Sequence, residues 1–162
     1  MDTNTRKNLI EQYKDGYRVV AEAIVGATDE ELDTHPAPGK WSAREVVHHL
    51  ADSEMTAAVR LRLLLATENP HIVGYDQDEF ARKLHYDKRP IEASLDAFKA
   101  ARRTTGELMD LMTEADWSRA GIHTEELTYG VERWLEIYAP HAHKHAEQIL
   151  AARDAGRKLK IK

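Results

Sequence analysis

Cysteine is absent from the 162 residues. That gap excludes disulfides, thiolate metal sites and a cysteine nucleophile together. No uncharged apolar run approaches the roughly 18 residues of a transmembrane helix, so no membrane partner is expected. The opening Met1-Asp2-Thr3-Asn4 lacks the basic and apolar regions of a secretory leader. With the missing cysteine, this predicts a cytoplasmic location. Glycine is scarce, at 8 residues, and β-branched alternation is nearly missing. There are no repeats and no low-complexity linker, so residues 1–162 read as one domain. The net charge of −5 argues against nucleic acid as a partner. The basic end (Arg157, Lys158, Lys160, Lys162) is too short to reverse this and reads as a solvated tail. What is present is an ordinary globular composition, 42% hydrophobic and 31% charged.

Helical periodicity runs through nearly the whole chain. Leu9, Tyr13, Tyr17, Val20 and Ile24 recur at three- and four-residue steps, predicting a helix from Thr5 to Val25. Thr28 to Glu31 reads as a short capped turn. His35-Pro36-Ala37-Pro38-Gly39 breaks the chain. Ser42 and Glu45 then form a capping box, with Trp41 placed to staple onto Val46, and the helix they open should end near Ala66. Residues 68–88 are mixed and polar, with a short helix expected over Asp76–Leu84. Pro90 is expected at the first position of a third long helix, with Ile91, Leu95, Phe98, Leu108 and Met112 on its apolar face. Thr113–Trp117 reads as a capped turn, and Ser118–Tyr129 as an irregular loop or short hairpin. Thr128 is expected to cap the last helix, which runs to about Ala155 and stops at Gly156. Four long amphipathic helices imply an all-α four-helix bundle, with a connection between helices 2 and 3 long enough to cross it.

Nine histidines are many for this length. His141 and His145 are spaced i, i+4 and share one helix face about 6 Å apart. At that spacing two imidazoles can meet one metal ion, with nitrogens at about 2.0–2.1 Å. Trp134, Tyr138 and Gln148 continue that face as candidate walls or supports. A lone pair of this kind often arises by chance on a solvated helix, so a third ligand is needed. Val46, His49, Ser53 and Arg60 form one stripe, which turns His49 inward and leaves His48 turned by about 100°. A buried His49 satisfied by hydrogen bonds is the plain alternative; three inward histidines from two helices favour metal. His143 lies roughly 200° around the helix from either neighbour and should face away. His35, His71, His85 and His123 fall in predicted loops and are expected at the surface.

Three stretches together carry a family resemblance. They are Lys40-Trp41-Ser42-Ala43-Arg44-Glu45-Val46-Val47-His48-His49-Leu50-Ala51-Asp52-Ser53-Glu54, then Tyr75-Asp76, then Tyr138-Ala139-Pro140-His141-Ala142-His143-Lys144-His145 with Ile149. The chain resembles the DinB/YfiT-like metal-binding four-helix bundles from about residue 15 to 152, on the YfiT side of bacillithiol S-transferase-like proteins. The resemblance implies a metal held by three histidines that map onto His49, His141 and His145. It also implies a crossing middle connection and a homodimer. Some members transfer low-molecular-weight thiols such as bacillithiol, mycothiol or glutathione; others carry the name of metal-dependent hydrolase. Pro140 departs from an uninterrupted helix: it removes a backbone donor beneath the Glu136 carbonyl, and a kink that re-aims His141 is expected.

Three neutral imidazoles leave a divalent ion its full charge and an open position, which is the pattern of a catalytic site. Zinc or nickel is the leading expectation, with iron and manganese also accepting imidazole. Without cysteine, a nucleophilic sulfur would come from a cosubstrate and meet an electrophilic small molecule. The leading expectation is therefore a metal-dependent S-transferase. The alternatives are a metal-dependent hydrolase on the same site and a non-catalytic metal-binding stress-response module. Asp52, Tyr138 and Gln148 are weak candidates to support the ligands; Glu45 is expected to be occupied by capping, and Glu54 points away. Position 142 is Ala, so no His-Glu-x-x-His protease motif is present. Arg60 is expected inward and paired with Asp76.

Overall fold

The computed structural model describes residues 1–159. Periodicity and caps account for most of its helices. Helix α1 (Thr3–Ile24) starts where the Asp2 carboxylate accepts from Thr5 N–H, and it buries Tyr13, Val20, Ala23 and Ile24. Thr28 caps the short α2 (Asp29–Asp33). Helix α3 (Ala43–Ala66) opens on the anticipated capping box, with the Ser42 and Glu45 side chains each accepting from the other's backbone. Asp76 caps α4 (Gln77–Lys83) by accepting from Asp78 and Glu79 N–H. Helix α5 (Glu92–Met109) begins two residues beyond Pro90, with Ile91 at its cap and no capping side chain. A second capping box, Thr113 with Asp116, opens α6 (Glu114–Trp117).

The last helix differs from expectation. Thr128 does not cap it. Residues 120–130 form a hairpin of β2 (Ala120–His123) and β3 (Leu127–Gly130), and Thr128 pairs with Ile122 there. Helix α7 (Val131–Tyr138) follows from Gly130, and α8 (His141–Leu159) is a separate helix that continues past Gly156. Pro140 lies at the break, as its missing N–H requires. The kink anticipated there is a complete division of the helix. In the basic end, Arg157 pairs with Glu31; Lys160 and Lys162 lie outside the described residues.

Helix α3 packs on α5 and α8, and α1 packs on the same two, so four long helices close a ring. The connection from α3 to α5 crosses the bundle through β1 (His71–Ile72) and α4. Strand β1 pairs in parallel with β2, which fastens the crossover to the hairpin. Gly121 permits this approach, since a Cβ there would meet the Pro70 carbonyl oxygen at 2.4 Å.

The apolar core has two parts. One gathers Val20, Leu32, Val46, Leu50, Phe98 and Ile149; the other gathers Tyr13, Leu61, Leu64, Ile72, Trp134 and Leu135. Truncating a fully buried leucine in either, such as Leu50 or Leu61, should destabilise by about 2–5 kcal/mol. Trp134 belongs here and not to a site wall: it is fully buried, and its indole N–H donates to the Ala57 carbonyl at 2.8 Å. A charged group also lies in the interior. Arg102 donates to Glu54 at 2.8 Å, to the Tyr13 carbonyl at 2.8 Å and to the Tyr138 carbonyl at 2.6 Å. The Tyr13 hydroxyl donates to the same carboxylate, and burial pushes its pKa up, so it stays protonated. Gly16 leaves room for this arginine, because a Cβ there would sit 1.5 Å from Arg102 Nη1.

Candidate metal centre

Helix α3 brings His49 inward on the stripe it shares with Val46 and Ser53, all three buried. Helix α8 brings His141 and His145 on successive turns, with His141 its first residue. The break at Pro140 does not carry His141 away from its partners. His49 Nε2 lies 3.3 Å from His141 Nε2, and His141 Nε2 lies 3.1 Å from His145 Nε2. The three rings therefore present one nitrogen each to a common point. An ion bound at about 2.0–2.1 Å needs nitrogens about 3.3–3.4 Å apart for tetrahedral angles and about 2.9 Å apart for octahedral ones. The spacings of 3.1 and 3.3 Å fit that range, and all three nitrogens lie within 4.8 Å of one another.

The electrostatics fit as well. Burial, with His145 nearby, pushes His49 down to about 3. Burial and the two neighbouring imidazoles hold His141 well below its ordinary value. Burial also lowers His145. Neutral imidazoles at working pH are the form a cation needs. Gln148 Oε1 accepts from His145 Nδ1 at 2.8 Å, which leaves the Nε2 lone pair facing the common point. Trp41 lies against His49, with ring centroids 4.8 Å apart, and Tyr138 meets His141 edge-on at 5.9 Å.

Other anticipated roles change. Asp52 does not orient a histidine; its carboxylate accepts from the Tyr86 hydroxyl at 2.6 Å. Arg60 does not pair with Asp76, whose carboxylate is spent on the α4 cap. It donates instead to the Tyr138 hydroxyl at 3.0 Å and to the Val73 carbonyl. Tyr138 thus supports the site by linking His141 to Arg60. Glu45 caps α3 and meets His35 at 2.9 Å. His143 faces away from the centre, toward Asp15 on α1 at 3.4 Å, and is half-buried. His48 is fully buried between Ser94 and the Arg89 carbonyl. His123 is not at the surface: the two-residue alternation of β2 turns it inward, where it lies against Tyr129.

Two cavities open at the three histidines. One, of about 430 Å³, is lined by His145 with Trp41, Lys40, Pro36 and Gln148. The other, of about 230 Å³, is lined by His49 and His141 with Ser53, Arg60, Tyr75 and Tyr138. Gln77 on α4 borders both. The hairpin adds Tyr129 and Glu125 to the second. Neither residue was singled out from sequence, and the alternation that turns Tyr129 inward spans only four residues.

The sequence profile of the DinB superfamily matches residues 12–149. This chain belongs to that superfamily. Among relatives, a protein of Oceanobacillus iheyensis named "putative metal-dependent hydrolase" is 34% identical over 140 residues, covering 86% of this chain and 81% of its own. YfiT of Bacillus subtilis, which bears the same name, is 30% identical over 154 residues, covering 89% and 86%. The solved structure of YfiT, titled as a probable metal-dependent hydrolase with an unusual four-helix bundle topology, superposes with a TM-score of 0.87 at 25% identity. It covers 99% of this chain and 90% of YfiT. No helix among the described residues is long and apolar enough to cross a membrane.

Proposed function

We propose that this DinB-superfamily protein is a metal-dependent S-transferase. A low-molecular-weight thiol and an electrophilic small molecule meet at a divalent ion held by His49, His141 and His145. The observation that carries the reading is the pair of cavities, one reaching His145 and the other His49 and His141. Two openings onto one centre suit a reaction of two substrates. A divalent ion at this site, zinc or nickel for an all-imidazole donor set, supplies Lewis acidity that lowers the pKa of a thiol or of water.

The protein's own groups do the rest. Three neutral imidazoles leave the ion's charge undiminished, and Gln148 fixes the His145 tautomer. Trp41 packs against His49 and Tyr138 against His141, which holds both rings in place. In the transfer, the sulfur loses its proton to solvent and forms a bond to the electrophilic carbon, and the leaving group departs with its electron pair. No side chain of this chain need be the nucleophile, which agrees with the absence of cysteine. The carboxylates that α3 brings near the centre are already engaged: Glu45 in a cap, Asp52 with Tyr86, and Glu54 with Arg102.

Hydrolysis is the second reading. It is favoured by the relatives' names and by Glu125, an exposed carboxylate at the rim of the smaller cavity that could act as a base toward water. Metal-loaded protein assayed with bacillithiol, mycothiol or glutathione and a bimane electrophile separates the two. Transfer predicts a rate that depends on thiol and falls at least about a hundredfold in His145→Ala, because the activating ion is lost. Thiol-independent cleavage of esters or amides would establish the second reading instead. No rate above the metal-free control in either assay would contradict both.

A further inference from the structure

The smaller cavity contains more donor chemistry than the three histidines explain. Arg60 crosses its wall with the guanidinium over the Tyr75 ring, 5.7 Å from centroid to carbon. One end of the guanidinium is anchored, by Tyr138 and the Val73 carbonyl. Its Nε–H is buried with no acceptor. The Tyr129 hydroxyl, on a residue 1% exposed, likewise makes no full hydrogen bond. The Tyr138 hydroxyl beside it already accepts a hydrogen bond from Arg60. Buried donors left without acceptors are rare in folded proteins and call for an explanation. Here two of them belong to residues that border one concave space beside the candidate metal ligands.

We propose that Arg60 and Tyr129 form a carboxylate-binding subsite, so that the substrate entering the smaller cavity carries a carboxylate. An acceptor-only group with two oxygens matches a guanidinium N–H and a phenol O–H. The volume of about 230 Å³ is below that of a pocket for a whole drug-sized ligand and suits one end of a longer molecule. Charge selects a monoanionic group over a dianionic phosphate. One guanidinium faces the cavity, and the rim already carries Glu125 and Glu126. Glu126 is neutralised by Arg133 at 3.1 Å, whereas Glu125 lies over Gly74 without an ion pair to a described residue. A second negative charge on the group held at Arg60 would therefore find no second cationic side chain beside it, whereas the far carboxylate of a longer molecule lies outside the subsite. The assignment rests on the proposal that the histidine centre is a reaction site. It adds that the molecule held beside His49 and His141 is anchored through a carboxylate at Arg60.

The test uses the full chain, metal-free and zinc-loaded, titrated at low ionic strength with sodium succinate and separately with inorganic phosphate. Binding is followed by calorimetry and by the Arg60 Nε–H cross-peak, which is identified by its loss in Arg60→Gln. Succinate should shift that cross-peak saturably. Arg60→Gln should weaken succinate at least about tenfold, and Tyr129→Phe severalfold, because each removes one donor. Tyr129→Phe preserves ring packing and keeps the test valid if Arg60→Gln folds poorly. Zinc content per chain should be the same in Tyr129→Phe as in the parent. Unchanged succinate affinity in both variants, or no saturable binding to the parent, would overturn the subsite. Tighter binding of phosphate than of succinate would overturn its assignment to carboxylates. Succinate bound through Arg60 in a protein that turns over neither thiols nor esters would leave the subsite standing and remove the transferase reading.

Discussion

Two polar clusters lie inside the same bundle, both reaching the α7–α8 break, and they are built on opposite principles. Around Arg102, every group has a partner of opposite sense: a carboxylate, two carbonyls and a tyrosine hydroxyl. Around His49, three like groups face one another at 3.1 and 3.3 Å with nothing between them to share. The first cluster is closed and complete with protein atoms alone. The second is the arrangement that the proposed cation would complete. The first cluster is fully buried and the second only partly, at His141 and His145, yet burial alone does not mark function. Satisfaction does: a cluster whose members repel or leave lone pairs converging is where a ligand belongs.

The largest effect should follow from opening the closed cluster. Arg102→Ala leaves Glu54 buried and unpaired and frees two carbonyls, so stability should fall by about 3–5 kcal/mol, read by urea denaturation. Replacing both partners, as Glu54→Met with Arg102→Leu, should recover only part of that loss: the buried charge is gone, but the Tyr13 and Tyr138 carbonyls and the Tyr13 hydroxyl stay without these partners. Full recovery would show that those groups find other partners.

Next in size is a pH effect on the metal-free protein. His49, His141 and His145 all have folded pKa values below the ordinary one. As pH falls through about 6.5, the unfolded chain takes up protons that the folded chain refuses. Stability should therefore be highest above about 6.5 and decline toward pH 5. The slope is about 1.4 kcal/mol per pH unit for each histidine held neutral. His49→Gln should flatten the curve of melting temperature against pH; an unchanged slope would mean that these imidazoles are free to protonate. Smaller again, Gln148→Leu should weaken metal binding by about tenfold through loss of the His145 orientation, measured by competition with a chromophoric chelator. His143→Ala should leave metal affinity within about twofold, since its ring lies toward Asp15.

Much of the open cluster was legible in sequence, and almost none of the closed one. The His141–His145 pair is a local, i, i+4 feature, and the stripe through Val46 and Ser53 turned His49 inward by the same helical period. Arg102 shows no such signal. It occupies a polar-looking position in α5, and its partners come from three other helices, α1, α3 and α7. The three strands were hard to read for a different reason: they are two to four residues long, too short for alternation to stand out. That hid the burial of His123 and Tyr129 and made Thr128 resemble a helix cap. Arg60 shares the His49 stripe in sequence, but its partner there is hidden: Asp76 becomes the α4 cap in the fold and leaves Arg60 to Tyr138 and Val73. Proline was informative in both directions: Pro140 marked the helix division, whereas Pro90 suggested a start two residues too early.

On this geometry His49, His141 and His145 should hold one divalent ion. Elemental analysis of protein stripped with chelator, equilibrated with zinc or nickel and then dialysed tests it most directly. One ion per chain is expected in the parent and in His143→Ala, with almost none in His49→Ala. Equal metal content in His49→Ala and the parent, or loss of metal in His143→Ala, would contradict it.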